Sequence, residues 1–593
     1  MNHAWRTNRS RRWLLTIGGC CLLAFALVTG ATPAASNAVV RAQAAARLTQ
    51  AQHLDLLAKL GRNYVQRLRP EVLKQLSAGG QQLVKLSQEV DKVKAAAAKS
   101  PKGKAQGPKS LPQGFGSDPF AAEDLFSRLT GMTQSETTAG WCASRAALGF
   151  NDSGSFAATV FLGASPSGSL SFNGWSQSTD GGGSYTDRGA LLADPLPPGI
   201  EFRDLLGDPV LGCSSEANFH YASLAMDVGP GGSFANSGIS VSRSTNGGTS
   251  FDSTVMAVAK DAEFHFLDKE WLAVEPGATA ASSDDVLHVT YTDFDFSGFA
   301  DQNKGLCPDD VRVAIEYVRS TDGGDTWSSP LVLEELCAGA QGAFLQGSQV
   351  EAGLGDDVYV AWERLNDDQT RDVRIRRSTD LGASFGAASV ATPVTPVGDG
   401  FALQGLFRSG PDLQGLAVDR GTGPRRGTVY LSLHDGRNRT KPDPLGFCQA
   451  TPTYCFGDIL VTSSTDGGTT WSAPARVNDD AATLGVDQWQ PALDVDRSGT
   501  LWVAFYDRRR DTRNFLIDTF VAKSTDGGAR WQNTRLTQSS FAPVTGWQDV
   551  VVNPVYMGDY IAAAADTLGR SSGVVTAWGD NTLGDANVLQ RRT

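Results

Sequence analysis

Past its first thirty residues the chain has no apolar run long enough to cross a bilayer, so no later membrane span is expected. Histidine is scarce, at six in 593 residues. None sits at ligand spacing and no Cys-x-x-Cys pair occurs, which argues against a histidine or thiolate metal centre. Basic charge is also missing from most of the chain. Residues 110–593 carry a net charge of −26, which argues against nucleic acid as a partner and is compatible with bound cations. Eight cysteines are present. Cys20 and Cys21 lie in the N-terminal apolar stretch, leaving Cys142, Cys213, Cys307, Cys337, Cys448 and Cys455. An even remainder suggests disulfides if the chain is exported.

Export is what the N-terminus suggests. Arg6, Arg9, Arg11 and Arg12 precede the apolar run Leu14 to Val28, and small residues follow to about Ala38. We read residues 1–38 as a signal peptide, and "SRRWLL" resembles the twin-arginine type. A lipoprotein cut at Cys20 fits less well, because the apolar run continues past it. Residues 39–98 read as a helical arm, with Leu54, Leu57, Tyr64 and Leu68 at three-and-four spacing. A solvated spacer is the expected role, and an oligomerisation or docking arm is the other. Residues 99–117 are a Lys/Pro/Gly-rich linker, and the main domain is expected over 118–593.

Within that domain one short turn is written six times: "STDGGGSY" from Ser178, "STNGGTSF" from Ser244, "STDGGDTW" from Ser320, "STDLGASF" from Ser378, "STDGGTTW" from Ser464 and "STDGGARW" from Ser524. The starts are 58 to 86 residues apart, a period that marks a repeat architecture. Asp accepts N–H groups across a tight turn, Gly supplies positive φ, and the final aromatic tucks beneath. These turns resemble the Asp-boxes, or BNR repeats, of the sialidase-like superfamily. Around them an apolar segment and a β-rich segment ending in acid recur, as in "QWQPALDVD" and "LWVAFYD". That is a four-stranded antiparallel blade, A to D, and its repetition makes an all-β propeller. Seven A/B pairs are present, the last "GDYIAAAAD" with "GVVTAWGD". Seven blades are therefore favoured, although sialidases have six.

The boxes occupy C→D turns, on the face shared with the A→B turns. The opposite face carries the ends of the B strands, at Asp152, Asp293, Glu363, Asp435, Asp507 and Asp580. It also carries the starts of the A strands, beside Glu136, Asp208, Asp268, Glu351, Asp412, Asp487 and Asp559. These carboxylates are expected to converge on one mouth, or else to cap their own turns. Asp152, Asp293, Asp295 and Asp580 are the expected metal ligands, with Ca2+ as the cation that such hard oxygens take. By loop position the disulfides should join Cys448 to Cys455, Cys307 to Cys337 and Cys142 to Cys213.

The sialidase resemblance implies a Tyr–Glu nucleophile pair, an Asp acid/base and three arginines on the substrate carboxylate. By position Tyr560, Glu351 and Asp152 would serve as catalytic groups, and Arg364, Arg437 and Arg508 as substrate-binding groups. The first A strand, "SETTAGW", lacks the arginine that sialidases carry there. Three functions stay open. One is a secreted or periplasmic glycosidase of the sialidase type. Another is a non-catalytic propeller that binds a glycan or an extracytoplasmic protein. The last is an envelope assembly scaffold.

Overall fold

The computed structural model arranges seven antiparallel sheets as a β-propeller. It describes residues 48–97 apart from 71–72 and 74–75, then 109–110, 120–122 and 133–593, apart from 280, 301–306, 340–341, 369, 396, 398–412, 439–455, 482–483, 544–556 and 583–586. The proposed signal peptide and the Cys448–Cys455 pair therefore lie outside the described residues.

Six blades run A to D in chain order. Blade one is Gln134–Cys142, Arg145–Asp152, Asn173–Ser178 and Thr186–Ala190, with Lys109–Ser110 added outside. Blade three is His265–Glu275, Val286–Asp295, Arg312–Ser320 and Leu331–Cys337. Blade seven differs: Ala562–Ala565, Val574–Asp580 and Asn587–Arg592 are joined by Phe120–Ala122 from the other end of the chain. The ring is thus closed by pairing an N-terminal strand with the last C-terminal one. Closure of this kind leaves no long free sheet edge. Disulfides join Cys142 to Cys213, between blades one and two, and Cys307 to Cys337 in blade three.

The repeated turns share three bonds: the Ser hydroxyl donates to the Asp or Asn side chain, the N–H of the glycine four residues past the Ser returns to that hydroxyl, and the N–H four residues past the Asp or Asn closes on its side-chain oxygen, with further bonds in some copies. In the third copy the Ser320 hydroxyl donates to Asp322 at 2.7 Å and accepts from Gly324 N at 2.8 Å. Asp322 also accepts from Thr326 N at 2.9 Å and from the Thr326 hydroxyl at 2.6 Å. The Trp327 indole donates to the Gly324 carbonyl at 3.1 Å. Two successive residues take positive φ, and both are glycine in five copies; in the fourth, Leu381 adopts φ 58° instead.

The helical arm is not a solvated spacer. Thr49 caps the helix Gln50–Arg67, whose His53, Leu54, Leu57, Ala58, Leu60, Gly61 and Tyr64 are buried. It crosses a second helix, Ala78–Ala97, so closely that a Cβ on Gly61 would lie 2.1 Å from the Leu83 carbonyl. The apolar stripe joins one continuous core with blades two, three and four. His53 bonds Asp204 at 2.8 Å and stacks on Phe202 with ring centroids 3.9 Å apart. The Tyr64 hydroxyl donates to the Ala262 carbonyl at 3.3 Å, and its ring packs on Phe266 and Phe296. The stripe that periodicity revealed has its partner within the same chain.

Leu57→Ala should therefore destabilise the whole propeller domain by about 2–5 kcal/mol, the usual range for a buried leucine. Gly61→Val should do so as well, because its side chain has nowhere to go. Urea unfolding followed by tryptophan fluorescence would check this. An unchanged midpoint for both variants would show that the arm adds nothing to the fold.

Candidate functional site

The A strands line the axis, and six of them carry a kink near the start. Glu136, Asp208, Lys269, Gly347, Gln490 and Gly558 occupy equivalent positions in blades one to four, six and seven, with φ between 51° and 96°. The ladder register shifts there in blades one, three, four and six, as expected of a β-bulge. In blade two the strand is split into Phe202–Leu205 and Val210–Cys213, both paired with the B strand. A bulge re-aims the side chains around it, and here it gathers them at the axis.

Lys269 stands at the centre of that gathering. Its Nζ bonds Asp559 and lies 3.4 Å from Glu136 and 3.7 Å from Asp208. All four side chains are almost fully buried. Asp268 and Glu270 flank the lysine in sequence and are buried too. One cation cannot hold five carboxylates ionised in a dry site. Burial accordingly pushes Glu136, Asp208 and Glu270 up, and Asp268 up to about 7, with neighbouring acids adding to the rise. A second positive influence comes from the arm. Ser77 N, at the start of the second helix, donates to Asp268 at 3.1 Å, placing the positive end of the helix dipole against the acids.

The expected single mouth thus divides into two shells. The inner acids meet at Lys269, whereas those at B-strand ends are held locally. Asp152 accepts from Gly154 N at 2.9 Å and the Ser155 hydroxyl at 2.6 Å, capping the helix Ser153–Phe161. Asp293 is gripped by Lys260 at 2.8 Å, His265 at 3.0 Å and Arg312 at 3.2 Å. Asp295 accepts from Ser297 N at 2.8 Å, and Asp580 from Thr582 N at 2.7 Å. The four expected metal ligands serve three blades separately. Among the described residues no group of three acidic, His or Cys side chains is arranged to hold a cation.

The three expected substrate arginines do not converge either. Arg364 bonds Glu334 and reaches Asn366 at 2.7 Å. Arg437 pairs with Asp435 at 2.8 Å. Arg508 is buried against Asp487 at 3.4 Å and lies 5.0 Å from the Trp489 ring centroid. Each belongs to a different blade and to a different acid. Tyr560 does reach the axis, but its hydroxyl donates to the Pro209 carbonyl at 3.1 Å. Its acidic neighbours are Glu136, Asp208 and Glu270. Glu351 is not at the start of its strand: blade four's A strand begins at Phe344, and Glu351 pairs with Tyr359 at the far end.

At that far end the axis is open. A cavity of about 480 Å³ runs between the A strands. At one end lie Tyr560 and Trp271, from blades three places apart in the ring, with centroids 5.9 Å apart in an edge-to-face contact. At the other end, on the face of the repeated turns, are Arg420, Arg426, Arg497 and Thr567, with Glu351 and Asp494 on the wall. Arg420 lies 3.8 Å from Glu351, which burial pushes up to about 7. Sequence reasoning missed these arginines. The signal was present, since "Val-Asp-Arg" ends the A strands of both blade five, at 418–420, and blade six, at 495–497.

No family model matches the chain, and no curated protein matches it. Solved structures with some likeness include the Hadza microbial sialidase Hz136, at 14% identity and TM-score 0.37, covering 65% of each chain. A polysaccharide lyase of the ulvan lyase family PL25 gives 10% and 0.40, over 76% of this chain and 90% of that one. Trypanosoma rangeli sialidase gives 10% and 0.34, over 65% of this chain and 53% of its own. This chain thus covers less than two thirds of both sialidases. These likenesses are weak.

The two kinds of acid predict a stability maximum. Asp268 and Glu351 titrate near 7 when folded and near 4 when unfolded, so the folded chain keeps protons that the unfolded one releases. Their ionisation therefore lowers stability as pH rises from about 4 to about 7. Asp380 and Asp466 run the other way. The hydroxyls of Ser384 and Thr470 respectively lead in holding them down to about 2, so their stabilisation is present above about pH 4 and is lost as pH falls toward 2. The melting temperature should peak at about pH 4–5 and fall on both sides. Calorimetry from acid to neutral would check this; a steady rise from the peak region to pH 8 would contradict it.

Proposed function

We propose that this chain is an exported, Asp-box, sialidase-like propeller that binds glycans without cleaving them by the sialidase route. The observation that carries the second half is the separation of the expected groups. Tyr560 gives its hydroxyl to a backbone carbonyl, Glu351 lies at the opposite end of the channel wall, and Asp152 is spent on a helix cap. Tyrosine-based glycoside cleavage needs the hydroxyl and its base within hydrogen-bond reach. The six repeated turns and their bonding support the Asp-box reading. Two disulfides between cysteines far apart in sequence support an oxidising compartment.

The test is a panel of fluorogenic sialosides and neutral glycosides offered to the full chain from pH 4 to 8, beside glycan-array binding of the same sample. The reading expects binding without release. Turnover of a sialoside that Tyr560→Phe abolishes would overturn it.

A further inference from the structure

We infer that the ligand site of this propeller is the funnel on the face of the repeated turns, and that Arg420, Arg426 and Arg497 there hold an oxyanion carried by a saccharide. The saccharide half rests on the glycan-binding reading above; the oxyanion half does not.

Four observations lead there. The first is access. On the opposite face the axis is filled by Lys269 and its carboxylates, and the arm's second helix begins against Asp268. The cavity's wall ends at Asp559, Tyr560 and Gln490 and does not include Glu136, Asp208 or Lys269. A ligand on the axis therefore enters from the face of the turns.

The second is charge. The arginines at 364, 437 and 508 are each paired with a carboxylate. By contrast, Arg426 and Arg497 have no carboxylate within 4 Å among the described residues, although both are exposed at the funnel. Arg497 has only a long 3.4 Å bond to the Leu568 carbonyl. Arg420 faces Glu351 at 3.8 Å, beyond hydrogen-bond range. Planar guanidinium forks left open in a concave site suit a carboxylate or sulfate, which they bind in bidentate fashion.

The third is the shape of the bottom. Trp271 and Tyr560 present aromatic surface there, and the wall includes Thr137, Gln349 and Gln490, whose side chains also bond neighbouring backbone groups. The volume of about 480 Å³ falls in the range of small-ligand sites. An aromatic base with polar walls fits a sugar ring, which has apolar faces and a hydroxyl edge.

The fourth is rigidity. Asp419 caps the turn after blade five's A strand through Gly421 N at 2.9 Å, and Asp496 does the same in blade six through Ser498 N at 2.9 Å. Arg420 and Arg497 follow these caps directly, so the backbones that carry them are fixed before any ligand arrives. This is the purpose the repeated Val-Asp-Arg serves: the acid holds the turn and the next residue offers a cation to the axis.

The experiment is isothermal titration of the full chain with uronate-bearing, sulfated and neutral oligosaccharides of equal length, for wild type and for Arg426→Gln with Arg497→Gln. Acidic oligosaccharides should bind wild type, more weakly as salt rises, and at least about tenfold more weakly to the double variant, the loss expected for charged hydrogen bonds. The melting temperature of the variant in buffer should be unchanged. The carboxylate and sulfate series identify which oxyanion is preferred. Equal affinity of wild type and double variant for an acidic oligosaccharide would overturn the arginine site while leaving the glycan reading standing. If no saccharide binds, the glycan reading fails. Thermal protection of wild type but not of the variant by inorganic sulfate would then still support the oxyanion site, and its absence would overturn that too.

Discussion

Everything at the axis depends on the charge of Lys269. Seven A strands converge on one line, and the bulges of blades one, two and three put Glu136, Asp208 and Lys269 at the meeting point, where Asp559 joins them from blade seven. Left alone, the carboxylates would repel across a dry gap, and each would have to be protonated or solvated. The ammonium supplies one full charge of opposite sign. The helix that follows Ser77 supplies a fraction of another. Both compensations are buried, so this end of the propeller is solid. The arm is thereby tied to the electrostatics of the axis as well as to the apolar core of blades two to four.

From that constraint follows an asymmetry between the two faces. On the Lys269 face, one ammonium faces several enclosed acids, which burial holds toward their protonated forms. On the other, the A→B turns diverge from the axis and leave a funnel between them. The repeated turns lie round the outside of this second face. Their carboxylates are consumed by hydroxyl and backbone donors, as at Asp380 and Asp466, so they hold the sheet edges in place without taking part in binding. Among the described residues, Arg426 and Arg497 at the centre of that face have no carboxylate within 4 Å.

The repeat was legible because its turn is chemically demanding: Ser, Asp, Gly and an aromatic each serve a bond, a φ angle or the packing beneath, so the pattern recurs six times with only Asn246 and Leu381 departing from it. Blade number followed from counting strand pairs, because short apolar runs such as "LWVAFYD", closed by an acid and bounded by turn residues, read as buried strands. The strand that closes the ring was not legible. Phe120–Ala122 is three residues beside a Pro/Gly-rich linker, and its pairing partner Asn587–Arg592 lies at the other end of the chain. Glu351 was misplaced by almost the length of one strand because Gln346, Gly347 and Ser348 at the bulge break the apolar pattern that would have marked the strand's start at Phe344. Lys269 sits in "DKEWLAVE" between two acids, and in sequence it looks like a surface residue. Its role appears only when Glu136, 133 residues away, and Asp559, 290 residues away, close around it. The arm's stripe was visible as periodicity, but periodicity cannot say what a helix packs against.

The central claim is that one buried lysine makes the closed end of the axis tolerable. Its most direct test is the stability of Lys269→Met, measured by urea unfolding at pH 8 and again at pH 5. Methionine keeps most of the volume and removes the charge. The account predicts a loss of about 3–5 kcal/mol at pH 8, as for other buried charges left without a partner, and a much smaller loss at pH 5, where the carboxylates can take up protons. An equal loss at both pH values, or no loss at either, would contradict it.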